Sequence, residues 1–251
     1  MFLVSGAASR PSIWSGWVYS RDKVAACAKQ GLMASSDELD TQESDKMLWP
    51  GPDSDLLGQG PEWWLVACMD WPRDRWLGYV GGYWKAADVI FERVVETGRD
   101  QDMLVYPYLM CWRHFVELQL KNLILLSRKY LREPIELPRT HRLDVLWRVV
   151  RGCLERAWPD DDRRDLDEAG RIVLQLDGFD PTSEHFRYPV LNNGSETMTA
   201  LGRIYMPSFH EAMSGVAAML DAADTGLRVM TEQRDEIEAE YASYYGPFEY
   251  P

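Results

Sequence analysis

Residues 102–131 read DMLVYPYLMCWRHFVELQLKNLILLSRKYL, and the pattern in this stretch decides the fold. Apolar side chains fill its first half on every side, which suits a helix at the centre of a bundle rather than one at its surface. Pro107 belongs near the first turn or at a kink, because it removes a backbone donor and crowds the turn before it. Within this apolar run, Arg113, Glu117 and Lys121 recur at a spacing of four, and His114 stands three before Glu117. Such spacing predicts a single polar stripe along one face. The same charges argue against a membrane span.

Helical patterning continues on both sides. Leu77–Glu96 repeats apolar residues at Val80, Trp84, Ala87, Ile90, Phe91 and Val94, with Gly98 as its stop. The glycines of GYVGGYW (78–84) suggest close packing at the start of that helix. After the linker REPIELP, Thr140 can cap a helix from His141 to about Ala157, closed by Pro159. Asp160, Asp161 and Asp162 suit the start of a fourth helix, whose positive dipole end favours them, and that helix is expected to end near Leu176. Residues 177–206 are turn-rich, with a small hairpin expected around Asn193 and Gly194. Ser208 and Glu211 form a capping-box pattern for a fifth helix to about Ala223, and TEQRDEIEAEYASYY supplies a further polar one.

Residues 1–60 lack sustained periodicity and carry the acidic and turn-rich runs SSDELDTQESDK and PGPDSDLLGQGP. WWLVACMDW (63–71) reads as a buried strand or an extended arm. The expected organisation is a loop-rich region over 1–76, an all-α helical bundle over 77–223, and a polar helix and tail over 224–251. Met1–Ala8 has no basic n-region, which argues against a signal peptide and for a cytoplasmic protein.

The 251 residues carry a formal charge of -13, which opposes broad attraction to nucleic acid or anionic lipid. The stretch from Arg113 to Arg156 nevertheless has ten Lys or Arg against five Asp or Glu. A basic zone in an acidic chain fits a confined anion site, and no membrane partner is expected. Eleven Trp and twelve Tyr suit an interface as well as a core, so a homodimer is expected. Cys27, Cys68, Cys111 and Cys153 lie far apart without zinc spacing and read as reduced, buried thiols. Neither a metal site nor a cofactor is expected, and the glycine-rich, GxSxG and HExxH signatures of common enzymes are missing.

The polar stripe has two readings. One is a solvated strip of ordinary Arg–Glu–Lys pairs. The other is a pocket in which Arg113, His114, Glu117 and Lys121 meet His141, at a helix start, and Arg187, in the loop HFRYP, to hold a phosphate or nucleotide or to do acid and base work. His185 and His210, beside acids and near loops, read as solvated histidines.

The segments GYWKAADVIFERV, LVYPYLMCWRHFVELQLKNLI, THRLDVLW and FRYPV resemble bacterial proteins related to HEPN (higher eukaryotes and prokaryotes nucleotide-binding) domains. The resemblance covers roughly Leu77 to Ala223. It implies a compact, often dimeric helical bundle working in a defence or stress system, either as a metal-independent ribonuclease or as a non-catalytic module binding RNA, a nucleotide or a cognate protein. Ribonuclease members place an Arg a few residues before a His. The corresponding pair here is Arg203 and His210, with six residues between them, Pro207 among these. That departure favours the binding module over the ribonuclease, and a structural subunit of a larger assembly is a third expectation.

Overall fold

The structure is a computed structural model that describes residues 54–58, 60–69 and 74–246. The chain divides into two compact units, Met1–Val66 and Ala67–Pro251. In the first, the described residues form little more than a 3-10 turn at Trp63–Leu65. The strand reading of 63–71 therefore fails over its described part, and Asp70 and Trp71 lie outside the described residues. The expectations for residues 1–53 also fall outside them.

The second unit is all-helical: α1 Arg75–Thr97, α2 Gln101–Leu131, α3 Leu143–Ala157, α4 Arg164–Phe179 and α5 Met206–Tyr245. α2 packs against α1, α3 and α5, while α4 joins α3 to α5. It carries more buried residues than any other element, including Tyr108, Trp112, Phe115, Leu120 and Ile124, as its apolar density predicted. Pro107 sits in its second turn.

The ends of α1 follow the sequence closely. Asp74 accepts the Trp76 amide at 3.0 Å, and Gly98 closes the helix at φ 61, a left-handed conformation that favours glycine. The packing role assigned to GYVGGYW does not hold at Gly81 and Gly82, where an added Cβ would meet nothing within 4 Å.

Three helix ends depart from expectation, the first because of a distant partner. α3 starts at Leu143, leaving His141 outside, because Asp177 of α4 accepts the Leu143 amide at 2.8 Å and the Asp144 amide at 3.3 Å. Thr140 instead accepts the Arg142 amide at 3.1 Å. α4 starts at Arg164, beyond the three aspartates, and runs to Phe179, so Asp165 and Asp167 occupy its first turn.

The expected break after Ala223 is absent, and one helix of 40 residues replaces two. Ser208 lies within its first turn rather than at a cap. Gly226 is no helix stop: a Cβ there would stand 3.0 Å from the Trp158 ring, so the glycine lets α5 approach it. Asp224 accepts from Asn122 of α2 and from Arg228, which also reaches Asp74 at 2.9 Å.

Between α4 and α5 the hairpin expectation survives in small form. Val190 and Glu196 make a single antiparallel bridge around Gly194, whose φ is 82.

Candidate functional site

Arg113 and Glu117 are each 1% exposed, so for them the solvated-strip reading fails. Arg113 donates to Glu117 Oε2 at 3.1 Å, to the Asp180 carbonyl at 3.1 Å and to the His141 carbonyl at 2.6 Å. The other carboxylate oxygen, Glu117 Oε1, receives Lys121 Nζ at 2.7 Å and lies 2.8 Å from His141 Nδ1. Burial pushes the Glu117 carboxyl up, but Lys121, His141 and Arg113 outweigh it and hold it below its ordinary value. The group is therefore an acceptor-only carboxylate, and Nδ1 of His141 carries the proton between them. The exposed face of the ring is its other edge, since the His141 side chain is 65% accessible.

This cluster also frames the loop beyond α4. Asp180, buried beside Arg113, accepts the amides of Glu184 and His185 at 2.8 and 3.0 Å. The turn so formed holds Ser183 at φ 64, unusual for a residue with a side chain. The Ser183 carbonyl accepts from Arg187 Nε and orients that guanidinium, which stands 5.8 Å from the Tyr188 ring centroid.

His114 leaves the stripe and meets Tyr83 of α1 edge to face at 4.4 Å between centroids. Burial lowers its basicity, and the charges of Arg113, Arg187 and Lys121 lower it further against the pull of Glu117. The four stripe residues thus share a helix without sharing a pocket. Arg113, Glu117, Lys121 and His141 are in direct contact, whereas His114 and Arg187 stand outside that group.

Arg187 opens onto a cleft of about 880 Å³ between the first turns of α2 and the 185–207 segment. Arg203 lines the same cleft, as do His185 and the aromatic faces of Tyr106, Tyr188 and Tyr205. All three tyrosines are more than half exposed. Asp102 is the one carboxylate in the lining. Met198, also in the lining, takes φ 55, so the loop is strained on both sides of the bridge at 190 and 196. The three tyrosines escaped the sequence reading, because they come from two separate parts of the chain and follow no periodic pattern.

His210 is placed elsewhere. Its ring stacks on Phe91 with centroids 3.8 Å apart, meets Trp112 edge-on, and has Nδ1 3.1 Å from the Tyr108 hydroxyl. Nε2 is 3.9 Å from Asp88. The expectation of a solvated histidine fails, because the side chain is only 20% accessible and its basicity is lowered by burial. Its proposed companion Arg203 is exposed and faces the cleft, which His210 does not line.

Cys153 is buried, but Cys68 is exposed and Cys111 half-buried, so the buried-thiol reading holds for one of the three described. Among the described residues no group of His, Cys, Asp and Glu is arranged to hold a metal ion, and no helix is long and apolar enough to cross a membrane. Compared with known proteins, the chain matches no family model, no curated protein and no solved structure.

Proposed function

We propose that this chain is a HEPN-like, non-catalytic binding module whose cleft takes single-stranded RNA, or a nucleotide as its smallest unit. The observation that carries the reading is the cleft lining: two arginines and three exposed tyrosines in an otherwise acidic protein. Guanidinium groups pair with phosphate oxygens in a planar, two-point geometry, and aromatic faces stack on bases without strong sequence preference. The buried Arg113–Glu117–Asp180 frame supports the reading because it fixes the turn that presents Arg187, and fixed donors lose less entropy on binding. A cytoplasmic role in a bacterial defence or stress system goes with the HEPN resemblance.

Fluorescence anisotropy with a short labelled oligoribonucleotide tests the proposal, with AMP as competitor. Saturable binding is expected, and Arg187→Ala and Arg203→Ala should each weaken it by about tenfold or more. Tyr188→Ala should cost about 1–3 kcal/mol if that ring stacks on a base. Binding that ignores all three substitutions would reject the cleft. Cleavage of the oligonucleotide in EDTA, lost in His210→Ala, would favour the ribonuclease reading instead.

A second reading, a subunit of a larger assembly or a homodimer, draws on a different observation. Leu56, Leu57, Trp63, Trp64, Leu65 and Val66 are all at least 64% exposed, a concentration of apolar surface that soluble chains ordinarily cover. Light scattering that reports a monomer across the micromolar range would count against a homodimer.

A further inference from the structure

The Glu117–His141 pair has a geometry that the cleft does not use. His141 is pinned twice, by Arg113 donating to its backbone carbonyl and by Glu117 beside Nδ1. A ring held at both the main chain and Nδ1 is presented in one orientation. Because Glu117 is ionised and already engaged by Arg113 and Lys121, the proton between it and the ring belongs on Nδ1. In the neutral ring the lone pair is then on Nε2, on the edge away from Glu117. A buried carboxylate behind an imidazole also stabilises positive charge arising on the ring, the role it plays behind catalytic histidines. Cations flank the position in sequence and in space: Arg139 is exposed two residues before it, and Lys121 Nζ touches the same carboxylate oxygen. His141 does not line the cleft that holds Arg187, and its side chain is 65% accessible. A reactive edge on open surface suits a donor carried on another macromolecule better than a small substrate that must be enclosed.

We propose that His141 is a phosphoryl acceptor, its Nε2 taking a phosphoryl group from a phosphoramidate presented by a partner protein. The Nε2 lone pair attacks phosphorus and forms an N–P bond while the donor N–P bond breaks. The electron pair of that bond leaves with the donor nitrogen, which takes a proton from solvent. The ring keeps its Nδ1 proton and becomes a cationic phosphoimidazolium against Glu117. No redox change or metal is involved, and the bond made is of the same kind as the bond broken. The inference is independent of RNA binding in the cleft.

The test treats the full-length protein with potassium phosphoramidate, follows each histidine by mass spectrometry under alkaline conditions, and assigns the modified nitrogen by phosphorus NMR. His141 should be phosphorylated on Nε2 at least about tenfold faster than His185 in the same molecule. That advantage should vanish when the chain is unfolded in urea, a comparison that needs no variant. Glu117→Gln should also remove it; in His141→Gln no phosphoryl group should enter at that position. A rate at His141 equal to that of the unfolded chain, or a phosphoryl group on Nδ1, would overturn the proposal.

Discussion

Glu117 joins three cationic or proton-bearing partners, Arg113, Lys121 and His141, at a buried point between α2 and the start of α3. Removing it would leave Arg113 buried with its charge poorly compensated, a loss of about 3–5 kcal/mol when one partner of such a pair is deleted, against a few tenths for an exposed helical pair. Glu117→Ala should therefore lower the urea midpoint by far more than Arg142→Ala, whose pairing to Asp144 is on the surface. Equal effects would return the stripe to an ordinary polar face. Acid sensitivity has a different origin. His210 and His114 are both held below the ordinary value of 6.5 by burial, so the folded chain binds protons less readily than the unfolded one. Their contribution is complete above 6.5 and is lost as pH falls below it toward the folded values. Glu117, held below 4.5, adds a further loss only at lower pH. The urea midpoint should thus fall between pH about 7 and about 5, and fall less in His210→Phe, which keeps an aromatic ring against Phe91. An identical fall in the variant would show that His210 takes no part. The stripe itself was legible from four-residue spacing, and the sequence offered His141 as a partner for it, but not Asp180, which lies 67 residues from Arg113.

Helices were legible where one face is apolar along a whole segment, as in α1 and α2, because burial then dictates the period. Helix ends were less so, since the groups that satisfy them come from other elements, as Asp177 does for α3. Glycine shows the same limit from both sides. Gly170 and Gly81 both lie inside helices, yet a Cβ at Gly170 would stand 2.6 Å from the Trp147 indole nitrogen while one at Gly81 would meet open space. Trp147 is 4% exposed and has little room to move. Gly170→Ala should destabilise by about 1–3 kcal/mol through overpacking of α3 against α4. Gly81→Ala should stabilise by about 0.5–1 kcal/mol, because alanine loses less backbone entropy in a helix. Thermal unfolding of the two variants measures both. A shift of the same sign would mean that the α3–α4 approach at Gly170 is not as close as the structure has it. The unbroken α5 belongs here too: its polar second half suggested a separate helix, whereas Gly226, against which Trp158 packs, lies inside one continuous helix.

On the scale of the whole molecule the charge of -13 and the two arginines of the cleft pull in opposite directions. A diffuse basic surface would gather many phosphates, whereas this cleft offers Arg187 and Arg203 against Asp102 and sits in a field that repels polyanions at a distance. The basic zone counted from Arg113 to Arg156, which suggested a confined anion site, is spent largely on internal pairs, and the cleft cations lie outside it, at 187 and 203. The consequence is measurable through salt. Each neutralised phosphate on a single strand contributes about 0.7 to the slope of log affinity against log salt concentration. Two arginines predict a slope of roughly -1.4, shallow beside that of a protein coating nucleic acid. Arg187→Ala or Arg203→Ala should each reduce it to about half, and the double variant should bring it close to zero. A steeper slope in the parent protein would mean that phosphates are held outside the cleft, by the exposed arginines of α3 and α4. An unchanged slope in both single variants would separate RNA binding from Arg187 and Arg203 altogether and place the phosphate contacts on other cations.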